Sequence, residues 1–200
     1  MTTIVGMCRA AALGAVFAAA PLGAQGNPNT ELHAAVGAAI AGGALGAHGS
    51  AGLSALAGFG VKSPDNAVGL RVEGVLQYFP TGGGRACGFG TPCDGNPMVA
   101  GVNLDATLDM TGTPPAKPTA TTYLVGGVGY YHTQILQTGV NPGGATLAEL
   151  ATSNGVGWNG GIGFRVPRAS GWWYVEVRYY GVPSPSGNAY AIPVMIGWQW

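Results

Sequence analysis

Two hundred residues suit a single domain, and eight basic against eight acidic residues leave no net charge. Such a balance sets up no field to steer nucleic acid, which excludes that partner on electrostatic grounds. Charged residues make up only 8% of the chain and glycine fills 37 positions, against about 25% and roughly 7% in ordinary soluble domains, so a conventional water-facing surface is excluded too.

Residues 1–24 read as a cleavable signal peptide, with Arg9, the apolar run "AAALGAVFAAA" and a small-residue cleavage site in "PLGA" before Gln25. The run is too short to span a bilayer, and Cys8 lies on the wrong side of it for lipid attachment. A retained N-terminal anchor is the alternative. Removing the signal leaves Cys87 and Cys93 in "CGFGTPC", an even pair that reads as a disulfide in an exported protein. Two cysteines without a neighbouring histidine make only half of a zinc site.

From residue 31 onward, turn-rich pieces separate eight segments of ten to thirteen residues: 32–41, 51–62, 67–79, 98–110, 121–133, 155–166, 172–182 and 189–200. Strands of that length exceed the five or six residues usual in soluble sheets and fit the roughly 9–11 needed to cross a bilayer at a tilt. Residues 34–61 carry no charge and contain a G-x-x-x-G spacing at Gly42 and Gly46, but their glycines dilute the apolar character a membrane helix requires.

Charge placement within the segments is the sharper signal. In the third, Val68, Leu70, Val72, Leu76 and Tyr78 share one face, and Arg71, Glu73 and Gln77 the other. The fourth sets Val102, Leu104 and Leu108 against Asn103, Asp105 and Asp109, the sixth Trp158, Ile162 and Phe164 against Asn159 and Arg165, and the seventh Trp173, Val175 and Val177 against Glu176 and Arg178. Bulky apolar faces opposite glycine-rich faces with balanced charges describe a protein turned inside out, and lipid tolerates neither an open sheet edge nor an unpaired backbone group. The fold expected is all-β: an eight-stranded antiparallel up-and-down transmembrane β-barrel over residues 25–200, in the cell outer membrane. With the N-terminus on the periplasmic side, the long connections 80–96 and 134–154 fall outside and shorter turns inside. The fifth segment, "TTYLVGGVGYYHT", leaves the facing of its tyrosines open.

The last segment, "AYAIPVMIGWQW", alternates Tyr190, Ile192, Val194, Ile196, Trp198 and Trp200 with smaller or polar residues. At about 3.3 Å per step and a tilt near 45°, Tyr190 to Trp200 covers roughly 23 Å, close to the ~25 Å apolar band of an outer-membrane barrel. Tyr190 is then expected at the outer aromatic girdle and Trp173, Trp198 and Trp200 at the inner one. Pro193 lacks a ladder donor, so a bulge is expected there.

"TYLVGGVGYY", "GWNGGIGFRV", "WYVEVRYY" and "AIPVMIGWQW" resemble the small eight-stranded outer-membrane β-barrel domains of Gram-negative bacteria, of the opacity-protein-like kind. The resemblance covers the last 80 residues well and the rest by pattern. It implies a surface or envelope role, and a C-terminal strand ending on an aromatic residue, Trp200, that the barrel-assembly machinery reads.

For chemistry the chain offers little. His33, His48 and His132 sit in no partner motif, and "GVGYY" and "GGIGF" open no helix that could cradle a phosphate. No cofactor and no metal are expected. The inward Arg71, Glu73, Asp105, Asp109, Arg165, Glu176 and Arg178 are expected to pair across the lumen, because an eight-stranded barrel is just wide enough for its own side chains and an unpaired buried charge is costly. The reading is therefore a monomeric, non-enzymatic barrel plugged by paired charges, in contact with lipid and open to an extracellular ligand through its loops. The alternatives are a narrow charge-lined solute channel, and an enzyme acting on lipid or peptide through a cluster of His48, His132 and Asp94.

Overall fold

A computed structural model describes residues 30–46, 51–62, 67–80, 96–110, 119–140, 146–184 and 187–200, with backbone alone for 135–140 and 146–150. Eight strands follow in chain order: β1 Thr30–Gly43, β2 Ala51–Lys62, β3 Val68–Tyr78, β4 Met98–Asp109, β5 Thr121–Val140, β6 Thr146–Arg168, β7 Gly171–Val182 and β8 Ala189–Gln199. Each pairs antiparallel with the next, and β1 pairs with β8 from His33↔Gln199 to Gly43↔Ala189, closing the barrel. The closure continues one residue further, where Trp200 N donates to Leu32 O at 2.8 Å. Residues 34–61, whose length suits a helical span, are instead the β1–β2 hairpin, and no described helix is long and apolar enough to cross a membrane.

The period-two pattern sorts the side chains as a barrel wall requires. Val36, Ile40, Leu53, Phe59, Leu70, Val102, Leu104, Val128, Ile162, Phe164, Val175, Val194 and Ile196 are all exposed on the outside, while Arg71, Glu73, Asp105, Glu176 and Arg178 are buried inside. The tyrosines of β5 divide, Tyr123 and Tyr131 inward and Tyr130 outward.

Two local expectations are corrected. The connection 134–154 is mostly ladder: the β5–β6 register runs unbroken from Thr121↔Arg165 to Val140↔Thr146, well past the last β4 partner at Gln134. Backbone pairing, with Leu136↔Leu150 among its rungs, extends the hairpin where sequence alone suggests a loop. At Pro193 there is no bulge. The β1–β8 register passes through Ala39↔Pro193 unchanged, and the β7–β8 register is the same on either side of a gap between Val177↔Val194 and Tyr180↔Ala191. A proline without an N–H forfeits rungs on one side, and no residue is inserted to compensate.

Many inward glycines are seats for a neighbour's side chain. A Cβ at Gly127 would lie 2.2 Å from Asp105 Oδ1, one at Gly163 2.2 Å from Tyr123 Cζ, and one at Gly161 2.8 Å from Arg178 Cγ. The outward Gly160 has nothing nearer than Val125 O at 4.0 Å. Interior glycine thus makes room for the large charged and aromatic residues that fill the lumen.

Candidate functional site: the charged lumen

Arg178, on β7, is the hub. Its Nη1 lies 2.7 Å from Glu73 Oε2 and 2.8 Å from Asp105 Oδ2, its Nη2 donates to Glu73 Oε1 at 2.9 Å, and its Nε donates to Glu176. One guanidinium thus reaches carboxylates on β3, β4 and β7, and its planar fork of donors suits several acceptors at once. Each carboxylate has a further partner: His33 Nε2 stands 2.8 Å from Glu73 Oε1, Asn159 Nδ2 donates to Asp105 Oδ1 at 2.7 Å, and the Tyr123 hydroxyl donates to Glu176 Oε2 at 2.7 Å. Hydrogen bonds to charged acceptors in a water-poor interior are the strong class, and here they satisfy oxygens that burial would otherwise strand.

A second layer lies nearer the end at which Thr30 enters. Arg71 Nε donates to Glu31 Oε1 at 2.7 Å, with its Nη1 3.8 Å from Glu176 Oε2 and its Nη2 3.4 Å from Gln199 Oε1. Gln199 in turn donates to Glu31. At the mouth, Arg165 Nη2 donates to Asp109 Oδ2 at 2.5 Å and Lys62 pairs with the same carboxylate. The Arg165 guanidinium carbon also lies 5.6 Å from the Tyr123 ring centroid and 5.2 Å from that of Trp172, within cation–π range of both.

All seven charged residues singled out from the sequence therefore face the lumen, and each has an ion-pair partner. Sequence reading misses Glu31, His33 and Lys62. Glu31 and Lys62 occupy the ends of their strands, where alternation has little length to show itself. His33 sits in the small-residue pattern of β1, which conceals its partner Glu73 on β3.

Outside, the aromatic residues form two belts. Trp173 and Trp198 cross edge to face at 5.0 Å, and Trp198 and Trp200 at 6.5 Å, at the N-terminal end of the barrel. Toward the other end Trp158 stacks on Tyr179 at 5.1 Å and Tyr179 on Tyr190 at 5.3 Å. His132 faces outward above Tyr130, its Nδ1 2.7 Å from Asn154 Oδ1. Its suggested catalytic partners His48 and Asp94 lie outside the described residues, as do Cys87, Cys93 and residues 1–24. Among the described residues no group of three or more His, Cys, Asp or Glu side chains could hold a metal ion.

No family model and no curated protein matches the chain by sequence. Solved structures do match it. Neisserial surface protein A is 14% identical, with 85% of this chain and 95% of that one aligned at a TM-score of 0.56. Ail, the attachment invasion locus protein of Yersinia pestis, in complex with the heparin analogue sucrose octasulfate, is 11% identical over 86% and 99% of the two chains at a TM-score of 0.50. At such identities the likeness is one of fold: the chain has the fold of the small eight-stranded outer-membrane barrels.

Proposed function

We propose that this chain is a non-enzymatic outer-membrane barrel whose lumen is plugged by paired charges and whose role is structural or one of surface contact. The observation carrying the reading is the Arg178 hub: four charged side chains from three strands, each at most 1% exposed, meet inside a wall whose outer face is apolar. A conducting path needs hydrated groups that an ion can reach and leave. Ion pairs knitted across a narrow lumen offer neither.

In this reading residues 1–24 direct export, Cys87 and Cys93 form a disulfide in an outward connection, the strand ending at Trp200 engages the barrel-assembly machinery, and the apolar wall meets lipid as a monomer. An extracellular ligand is held by the outward connections. Ail was solved with a polyanion analogue; the even charge balance of this chain lends that ligand class no support.

Purified protein in a planar bilayer is expected to give no steady single-channel steps. Reproducible steps would overturn the plug and favour the narrow charge-lined channel.

A further inference from the structure

Beyond the charged layers, away from the N-terminal end, the lumen holds a set of polar side chains that the plug does not use. Gln77 on β3, Asn103 on β4, Thr133 on β5 and Tyr180 on β7 all face inward and are 0–1% exposed. Both amide atoms of Gln77, both of Asn103, the Thr133 hydroxyl and the Tyr180 hydroxyl have no hydrogen-bond partner in the protein.

The four fall into two pairs along the lumen. Gln77 and Thr133 flank Val99 in register from either side. Asn103 Oδ1 and Tyr131 Cζ lie 2.3 and 2.9 Å from the same point above Gly129, and Tyr131 meets the Tyr180 ring edge-on at 6.3 Å. Glu73, part of the Arg178 hub, is the register partner of Asn103 and bounds the set on one side. Fully buried Phe79 and Leu45, in an apolar cluster with Val99, bound it on the other.

We infer that this neutral layer binds water. Buried amides and hydroxyls in folded proteins are hydrogen-bonded almost without exception, and these find nothing in the chain. The orphan atoms include donors and acceptors but no charge, which suits a neutral molecule able to donate and accept. Their complete burial leaves no surface for a larger solute. A buried water typically makes about three hydrogen bonds to groups of this kind, so the six atoms accommodate about two molecules, allowing for bonds to nearby backbone carbonyls. The lumen is then lined by ion pairs in its N-terminal half and by neutral, hydrated groups beyond it.

Water-contact NMR on the folded full chain in lipid nanodiscs tests this. The Gln77 and Asn103 side-chain amides are expected to show dipolar contacts to water of the sign given by molecules resident for longer than about a nanosecond, the range of exposed side-chain motion. Gln77→Leu is expected to abolish contacts at position 77 and weaken those at Thr133, its neighbour across Val99, with the Arg178 guanidinium signals unmoved. Amides free of water contact, or hydrogen-bonded to one another in a crystal structure, would overturn the inference whether or not Gln77→Leu folds. The slow exchange rests on the closed lumen proposed above: water contacts of bulk-like lifetime accompanied by channel steps would refute closure, whereas dry amides in a non-conducting barrel would refute hydration alone.

Discussion

Replacing Arg178 with methionine is expected to lower the unfolding free energy of the barrel by about 3–5 kcal/mol, the usual cost of removing one partner from a buried ion network. The methionine keeps much of the aliphatic volume, so lost packing contributes little. What remains is Glu73, Asp105 and Glu176, buried to within 1% of complete and left with His33, Asn159 and Tyr123 as their nearest partners. Those partners bond the carboxylates without the permanent positive charge the hub supplied. Arg168→Met at the exposed end of β6 serves as the control and is expected to fall within about 0.5 kcal/mol of the parent. Urea titration of protein refolded in lipid vesicles measures both; equal midpoints for the two variants would mean that the hub does not hold the lumen together.

The second large effect is expected on the opposite face. Leu104 lies midway along β4, paired to Val72 and Val128, and is 56% exposed. On a water-facing sheet, Leu104→Arg would change stability by about 0.5 kcal/mol or less. On a lipid-facing wall it places a guanidinium at the bilayer midplane, which costs about 2–4 kcal/mol. The same vesicle titration distinguishes the two, and a neutral outcome would place water, not lipid, against β4.

How much of this was legible in the sequence depended on how strongly each segment alternates. β3, β4 and β7 carry bulky apolar residues against charges at strict period two, so their facing can be read without coordinates. β5 cannot be read so: in "VGGVGYY" glycines stand on both faces and two adjacent tyrosines point oppositely, and only pairing with β4 and β6 sends Tyr131 inward and Tyr130 out. The extension of the β5–β6 hairpin is equally hidden, because a ladder beyond the membrane needs only backbone partners and leaves no lipid-driven pattern. Pro193 misleads for a local reason: the missing donor suggests an inserted residue, whereas the strand keeps its register and loses rungs to β7 alone. Within the lumen, the sequence identifies which charges face in, but which of them meet is set by strand register, as in Arg71↔Asp105, direct register partners whose carboxylate nonetheless binds Arg178. The inward glycines explain that exchange, since Gly127 and Gly161 leave space for Asp105 and Arg178 to lean across their strands.

The most direct test of a closed barrel with a lipid-facing wall is the gel mobility of membrane-extracted protein before and after boiling. A barrel whose first and last strands are hydrogen-bonded resists detergent, so the unboiled protein is expected to migrate as a compact species and to shift on heating. A protein that runs identically in both conditions and stays soluble without detergent would contradict the account.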